Sequence, residues 1–193
     1  MNRVWVGVLS LSLCGFPALA SAAASEATAP TSGFRAEFLD QLNEVEKKMI
    51  ALAEAVPAEK YAWRPAEGVR SVSEVYMHLA GANFSLPRFI GVDPPSTYER
   101  GMERTVTEKA KVVDWLRQSF AHVRQATFET ADADLDKAVK VFGRDATVRS
   151  VFLLMATHMH EHLGQAIAYA RMNGVVPPWT AARQAQLQQS KPE

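Results

Sequence analysis

The chain of 193 residues has a single cysteine and no excess of charge of either sign. Cys14 lies in an N-terminal segment that we expect to be removed, so the mature chain would have neither a disulfide bond nor a cysteine nucleophile. The sequence contains 21 basic and 21 acidic residues, which predicts no strongly positive surface for nucleic-acid binding. It also contains no glycine-rich phosphate-binding loop and no serine-elbow motif. These absences argue against thiol catalysis, nucleic-acid binding and P-loop chemistry.

The first residues have the composition of a secretory signal peptide. Arg3 gives a weakly positive start, and an apolar run follows from residue 4 to residue 16. The run is shorter than the roughly 20 residues that a membrane-spanning helix requires. We predict a signal peptide over residues 1–24, cleaved at about Ala20 to Ala24. The mature protein would then be periplasmic or secreted, without a membrane anchor.

Apolar residues recur at spacings of three and four along four segments, as the buried side of an amphipathic helix requires. The second of these begins with a capping-box pattern, Ser71 followed by Glu74. Residues 131–146 fit either a short strand or a turn. Four long helices without a convincing sheet predict an all-α, four-helix bundle. The predicted helices span residues 34–56, 71–87, 105–130 and 147–173 of a bundle domain at 33–179, with a flexible lead-in at 25–32 and a polar tail at 180–193.

Two histidines of the last predicted helix share an inward-facing side. Each helical residue turns by about 100°, so His162 lies about 40° from His158, whereas His160 points to the opposite side. A buried imidazole needs a partner, because an unpaired buried polar group costs about 1–3 kcal/mol. Imidazoles at positions i and i+4 can both reach one metal ion. His78, on the apolar side of the second predicted helix, is the candidate third ligand.

The residues by themselves leave two explanations of these histidines open. Three imidazoles with an open coordination position are typical of a reactive metal site, and zinc, nickel or iron would suit them. Alternatively, the histidines are core residues hydrogen-bonded to groups such as Glu74 or Gln165. His122 on the third predicted helix is a weaker candidate for approaching the site.

Two segments resemble the signatures of the DinB/YfiT-like superfamily. They are Ser71–Leu79 (SVSEVYMHL), preceded by Trp63–Pro65, and Ala156–Gln165 (ATHMHEHLGQ). The resemblance covers about residues 33–179 and implies a four-helix bundle with its helices in up-down-down-up order. It also implies one divalent metal ion bound by three residues, His78, His158 and His162.

The resemblance also implies a class of chemistry. Relatives in that superfamily include transferases and isomerases that use low-molecular-weight thiols, whose pKa the metal lowers. We therefore predict a metal-dependent hydrolase or transferase acting on a small molecule, with Gln165 orienting a ligand and Glu161 acting as a base on bound water. Whether the protein is an enzyme is left open, since a metal-binding or stress-related module and a purely structural bundle fit the same residues. A homodimer formed through an exposed helix face also fits.

Overall fold

Helices make up most of the computed structural model, which describes residues 29–190. In chain order they are α1 (Gly33–Ala55), α2 (Val72–Ser85), α3 (Met102–Thr105), α4 (Lys109–Glu129), α5 (Val148–Met172) and α6 (Pro178–Gln189). Shorter 3-10 helices lie at Ala58–Lys60, Leu86–Ile90 and Asp132–Asp134. The predicted signal peptide lies outside the described residues. Within the described residues, the prediction of a mostly helical fold without a large sheet is confirmed.

Side-chain caps fix where α2 and α5 begin. The Ser71 hydroxyl accepts a hydrogen bond from the Glu74 backbone, and the Glu74 carboxylate accepts one from the Ser71 backbone. This is the capping box that the sequence predicts. Thr147 and Ser150 form the equivalent pair at the start of α5. Because α2 and α5 carry the three candidate ligand histidines, these caps determine where each imidazole lies along and around its helix.

The ambiguous segment before α5 contains a β-hairpin. Its strands, β1 (Ala138–Val141) and β2 (Arg144–Thr147), pair antiparallel with Val141 opposite Arg144. The two residues of the turn, Phe142 and Gly143, both have positive φ, 48° and 80°. Positive φ at both turn residues is the geometry that lets a two-residue turn follow the twist of the strands. The hairpin leads directly into α5.

The third predicted helix, expected over residues 105–130, is shorter at its start than predicted. The chain is extended at Val106, and α4 begins at Lys109. The break allows the separate short helix α3 to pack against α2. Periodicity did not reveal this change of direction, because the apolar stripe of α4 continues in sequence through the break.

The four long helices form a ring in the order α1, α4, α2, α5, since α1 and α2 each pack against both α4 and α5. Arg35 near the start of α1 pairs with Asp132, just beyond α4. Lys109 at the start of α4 donates to the carbonyl of Val56 after α1. These contacts show that α1 and α4 run antiparallel. The up-down-down-up order requires the first and third long helices to run antiparallel. The complete order stays a prediction.

The core lies between the four long helices and is almost entirely apolar. Phe152 of α5 is fully buried and packs edge-on against Phe38 of α1, with ring centroids 4.9 Å apart. The few buried polar residues include Asn83, which donates to the Ser119 hydroxyl between α2 and α4. Within residues 29–190, His162 is the one buried residue that can carry a positive charge near neutral pH. The candidate site therefore begins at the edge of the core.

Both ends of the described chain are polar. Residues 29–32 of the predicted lead-in have no regular secondary structure. Helix α6 contains most of the predicted polar tail, and its side chains are exposed from Ala181 onward. Over the described part of the chain, no helix combines the length and apolar character needed to cross a bilayer.

Candidate metal centre

Three histidines from two helices converge between α2 and α5. His78 lies on α2, and His158 and His162 lie one turn apart on α5. One ring nitrogen of each lies within 4.8 Å of those of the other two, and the Nε2 atoms of His158 and His162 are 3.1 Å apart. Two imidazoles bound at about 2.0–2.1 Å to one tetrahedral ion would place their nitrogens about 3.3 Å apart. The spacing of His158 and His162 therefore fits a single shared ion, and His78 lies close enough to be its third ligand.

Two of the three rings are oriented through Nδ1. Nδ1 of His162 lies 2.9 Å from Oε1 of Gln165, and the Gln165 amide donates to the Tyr169 hydroxyl at 3.3 Å. Nδ1 of His78 lies 3.0 Å from Oε2 of Glu103. Because both partner atoms accept hydrogen bonds, each ring carries its hydrogen on Nδ1 and keeps Nε2 available for coordination. Gln165 thus contacts His162, and its role in orienting a ligand stays a prediction.

Glu103 is the residue of this site that sequence reasoning missed. One carboxylate oxygen faces His78, and the other accepts a hydrogen bond from Arg70 Nε at 2.6 Å. Burial would raise the pKa of Glu103, but the hydrogen bonds from Arg70 and His78 outweigh it and hold the pKa below its ordinary value. An ionised carboxylate is therefore fixed behind His78. No periodic signal connects Glu103 with His78, because a proline-rich connection and the turn of α3 bring them together.

Glu74, the partner that the sequence offered for His78, has a different role. Its carboxylate accepts the hydrogen bond from the Ser71 backbone and pairs with Arg64 at 3.1 Å. The Ser71 hydrogen bond is the main reason that the pKa of Glu74 lies below its ordinary value. Glu74 therefore stabilises the start of α2, and the hydrogen-bond partner of His78 is Glu103.

His158 differs from the other two rings because its Nδ1 is buried and has no hydrogen-bond partner among the described residues. Burial, with the neighbouring His162 and His78, lowers the pKa of His158 to about 4. Burial also lowers the pKa of His162. Both rings are therefore neutral at pH 7, the form in which imidazole binds metals. Since His162 carries its hydrogen on Nδ1, the hydrogen of metal-free His158 lies on Nε2 and points at His162.

The histidine cluster opens onto a cavity of about 630 Å³, lined in part by His78 and His158. A second cavity of about 680 Å³ adjoins it and includes Gln165 in its wall. The two cavities share Arg70, Glu103 and Arg104. Volumes of about 300–1,000 Å³ are typical of sites for small molecules. The arrangement can therefore present a bound ion to a small ligand from solvent.

The remaining histidines and Glu161 lie apart from this cluster. Glu161 is exposed on α5 and lines neither cavity, so its role as a base stays a prediction. His160 is exposed, with Nδ1 2.8 Å from the Ala156 carbonyl oxygen. His122 packs against Phe84 between α2 and α4, with ring centroids 5.5 Å apart. It does not belong to the three-histidine group.

Comparisons with known proteins support the fold on which these histidines lie. The family model of the DinB superfamily matches residues 41–166, which include all three clustered histidines. The uncharacterized protein YjoA of Bacillus subtilis strain 168 is 27% identical over 124 residues, covering 64% of this chain and 80% of YjoA. The crystal structure of a DinB-like protein from Bacillus cereus has a TM-score of 0.66 at 20% identity, covering 73% of this chain and 93% of that one. That of YjoA has a TM-score of 0.59 at 20% identity, covering 72% and 93%. These two structures share the fold.

Proposed function

Because the chain belongs to the DinB superfamily, we propose that it is a divalent-metal-dependent hydrolase or transferase acting on a small molecule. The convergence of His78, His158 and His162 beside an open cavity is the main support for this proposal. A cluster that served only to fill the core would have no reason to adjoin a cavity of this size.

The donor set supports a reactive site rather than a structural one. Three imidazoles suit zinc, nickel or iron. Structural zinc sites use four protein ligands, whereas three ligands leave a position for a substrate or solvent. When bound, the ion would act as a Lewis acid, polarising a substrate group and stabilising negative charge as it develops.

The protein's own residues would position the ligands and receive the substrate. Glu103 holds His78, and Gln165 holds His162, so both imidazoles keep one orientation while a substrate enters or leaves. Gln165 also lines the second cavity, where its amide can contact a substrate. Glu161 would act only on a group that reaches the exposed side of α5.

We propose further that the protein functions in the periplasm or outside the cell. The composition of residues 1–24 supports this location. A cysteine-free mature chain would also be insensitive to an oxidising compartment. Mass measurement of protein isolated from the periplasmic fraction should give a chain that begins close to residue 25, and a full-length mass would contradict the proposal.

Metal content tests the proposed site directly. Protein purified without a metal-affinity column should contain about one equivalent of metal by mass spectrometry, and the His158→Ala and His162→Ala variants should contain almost none. His160→Ala is the matched control, because this histidine lies on the same helix but faces away. Circular dichroism should show equal helix content in all four proteins. No metal in the wild type, even after reconstitution with zinc, nickel and iron, would leave a bundle with core histidines.

Turnover is tested on the metal-loaded protein with ester, phosphoester and thiol-transfer substrates, using the metal-free protein as the control. Metal-dependent turnover that His158→Ala abolishes supports an enzyme. Tight metal retention without turnover or an exchangeable solvent ligand would instead indicate a metal-binding module.

A further inference from the structure

Phe142 is an aromatic residue in a backbone conformation that aromatic residues rarely adopt. Its φ is 48° at the tip of the hairpin, where glycine or asparagine is usual. The side chain is 73% exposed, so its edge-on contact with Phe89, at a centroid distance of 5.0 Å, covers little of the ring. Burial in the core therefore does not compensate for the strained backbone.

The same ring lines the cavity into which the histidine cluster opens. Strained residues persist where the surrounding structure or a function requires them, and they concentrate at ligand sites. Tyr98, Met77 and Leu154 add apolar surface to the cavity that contains Phe142. The hairpin thus completes an apolar wall near the three histidines.

Arg104 gives the site an unbalanced positive charge. It lines both cavities, and its guanidinium has no hydrogen-bond or ion-pair partner within residues 29–190. The two other arginines at these cavities are neutralised, because Arg70 pairs with Glu103 and Arg64 pairs with Glu74. A divalent ion bound by the three imidazoles would add to the positive charge. The site is therefore electrostatically suited to an anion.

We infer that the cavity binds a small organic anion that also has an apolar portion. The anionic group pairs with Arg104, and the apolar portion packs against Phe142 and its neighbours. This inference rests on the proposed function, for which it names the substrate class. Phe142 and Arg104 are then specificity-determining residues that lie outside the metal ligand set.

The test uses three probes and calorimetric titration of the zinc-loaded protein. The probes are 3-phenylpropionate, its uncharged amide, and acetate, which has the charge without the ring. We expect 3-phenylpropionate to bind more tightly than either of the others. Phe142→Ala should weaken its binding about fivefold and leave acetate binding unchanged. Arg104→Gln should weaken it about three- to fivefold and leave amide binding unchanged.

Two substitutions on α6 are matched controls for these variants. Leu187 is 57% exposed and Arg183 is exposed, and neither lines the cavity. Leu187→Ala and Arg183→Gln should therefore leave all three affinities unchanged. Equal losses in the control variants would show that the probes bind non-specifically and would overturn the inference.

A second variant separates recognition from a structural role. Phe142→Asn suits positive φ, so it should raise the melting temperature by about 2–4 °C while weakening 3-phenylpropionate binding. A structural role for the ring predicts a lower melting temperature instead. Unchanged binding in both Phe142 variants, equal binding of acid and amide by the wild type, or no binding of 3-phenylpropionate would each overturn the inference.

Metal content and probe binding are measured on the same samples, so the two proposals fail separately. Probe binding that depends on Phe142 and Arg104 in a chain that takes up no metal would contradict the proposed function and keep this inference. Metal loading together with probe binding that depends on neither residue would support the proposed function and overturn this inference.

Discussion

Polar side chains cross both the α1–α4 interface and the α2–α5 interface, but only the first is made of complementary pairs. At α1–α4, Arg124 pairs with Glu46, and Arg117 pairs with Glu54. Lys109 donates to two backbone carbonyl oxygens at the end of α1. Each of these cations meets an oxygen, as expected of contacts that hold two helices together.

At α2–α5, imidazole rings meet other imidazole rings, since the ring centroid of His78 lies 5.3 Å from that of His158 and 4.7 Å from that of His162. Within α5, the Nε2 atoms of His158 and His162 face each other at 3.1 Å, and Nδ1 of His158 has no partner among the described residues. A buried and a half-buried imidazole, both with lowered pKa values, gain little from each other. We infer that α1–α4 contributes to stability and that α2–α5 is the side of the bundle suited to binding, since local rules are broken mainly where function requires it.

Of the changes that compare the two interfaces, replacement of the carboxylate that contacts His78 should have the largest effect, which is a loss of metal affinity. Glu103→Gln removes the negative charge that orients His78, and loss of such a partner typically lowers metal affinity about 10- to 100-fold. Glu54→Gln at α1–α4 is the control and should leave affinity unchanged. Competition with a chromophoric chelator measures both. Equal affinity in Glu103→Gln and the wild type would remove Glu103 from the site.

Acidification should lower the unfolding free energy of the metal-free protein through protonation of the histidines at the α2–α5 interface. Burial lowers the folded-state pKa of His158 to about 4, below its ordinary value of 6.5, so the contribution of His158 to stability is complete above pH 6.5 and is lost as the pH falls toward 4. We expect a loss of about 1–2 kcal/mol in unfolding free energy between pH 7.5 and pH 5, measured by urea denaturation.

Variants from each interface test the source of that pH dependence. His158→Asn should reduce the loss, and Arg124→Met should retain it, because Arg124 belongs to the other interface. An equal reduction in both variants would place the pH dependence outside the histidine cluster.

The smallest effect is expected at α1–α4. Arg124→Met breaks a partly exposed pair with Glu46, with side chains 30% and 27% exposed, and should lower the unfolding free energy by about 1 kcal/mol. Metal content should stay at the wild-type value. Metal loss in Arg124→Met would show that the two interfaces are not independent.

The parts of the site that lie within one helix could be predicted from the sequence. His158, His162 and Gln165 follow one another at helical spacings on α5, so their common side follows from helix geometry. The Ser71–Glu74 cap likewise needs only four consecutive residues. His78 required the second helix and the resemblance.

The rest of the site depends on how irregular segments pack. Glu103 reaches His78 because the chain turns twice between α2 and α4, and no local pattern records those turns. Phe142 reaches the cavity through a hairpin whose tip has an unusual residue for positive φ. A phenylalanine at that position is not a recognised turn signal. Sequence patterns therefore predicted the three-histidine cluster but not its electrostatic and apolar surroundings.

The facing Nε2 atoms of His158 and His162 should affect the rate at which a metal ion binds and leaves. In the metal-free protein, the hydrogen of His158 occupies the nitrogen that must coordinate, whereas His162 already has its hydrogen on the far side, at Gln165. Coordination by His158 would require that hydrogen to move to Nδ1, a buried atom with no hydrogen-bond partner within residues 29–190. We therefore expect His158 to be the last ligand to attach and the first to detach, so that this one ring sets how long an ion resides.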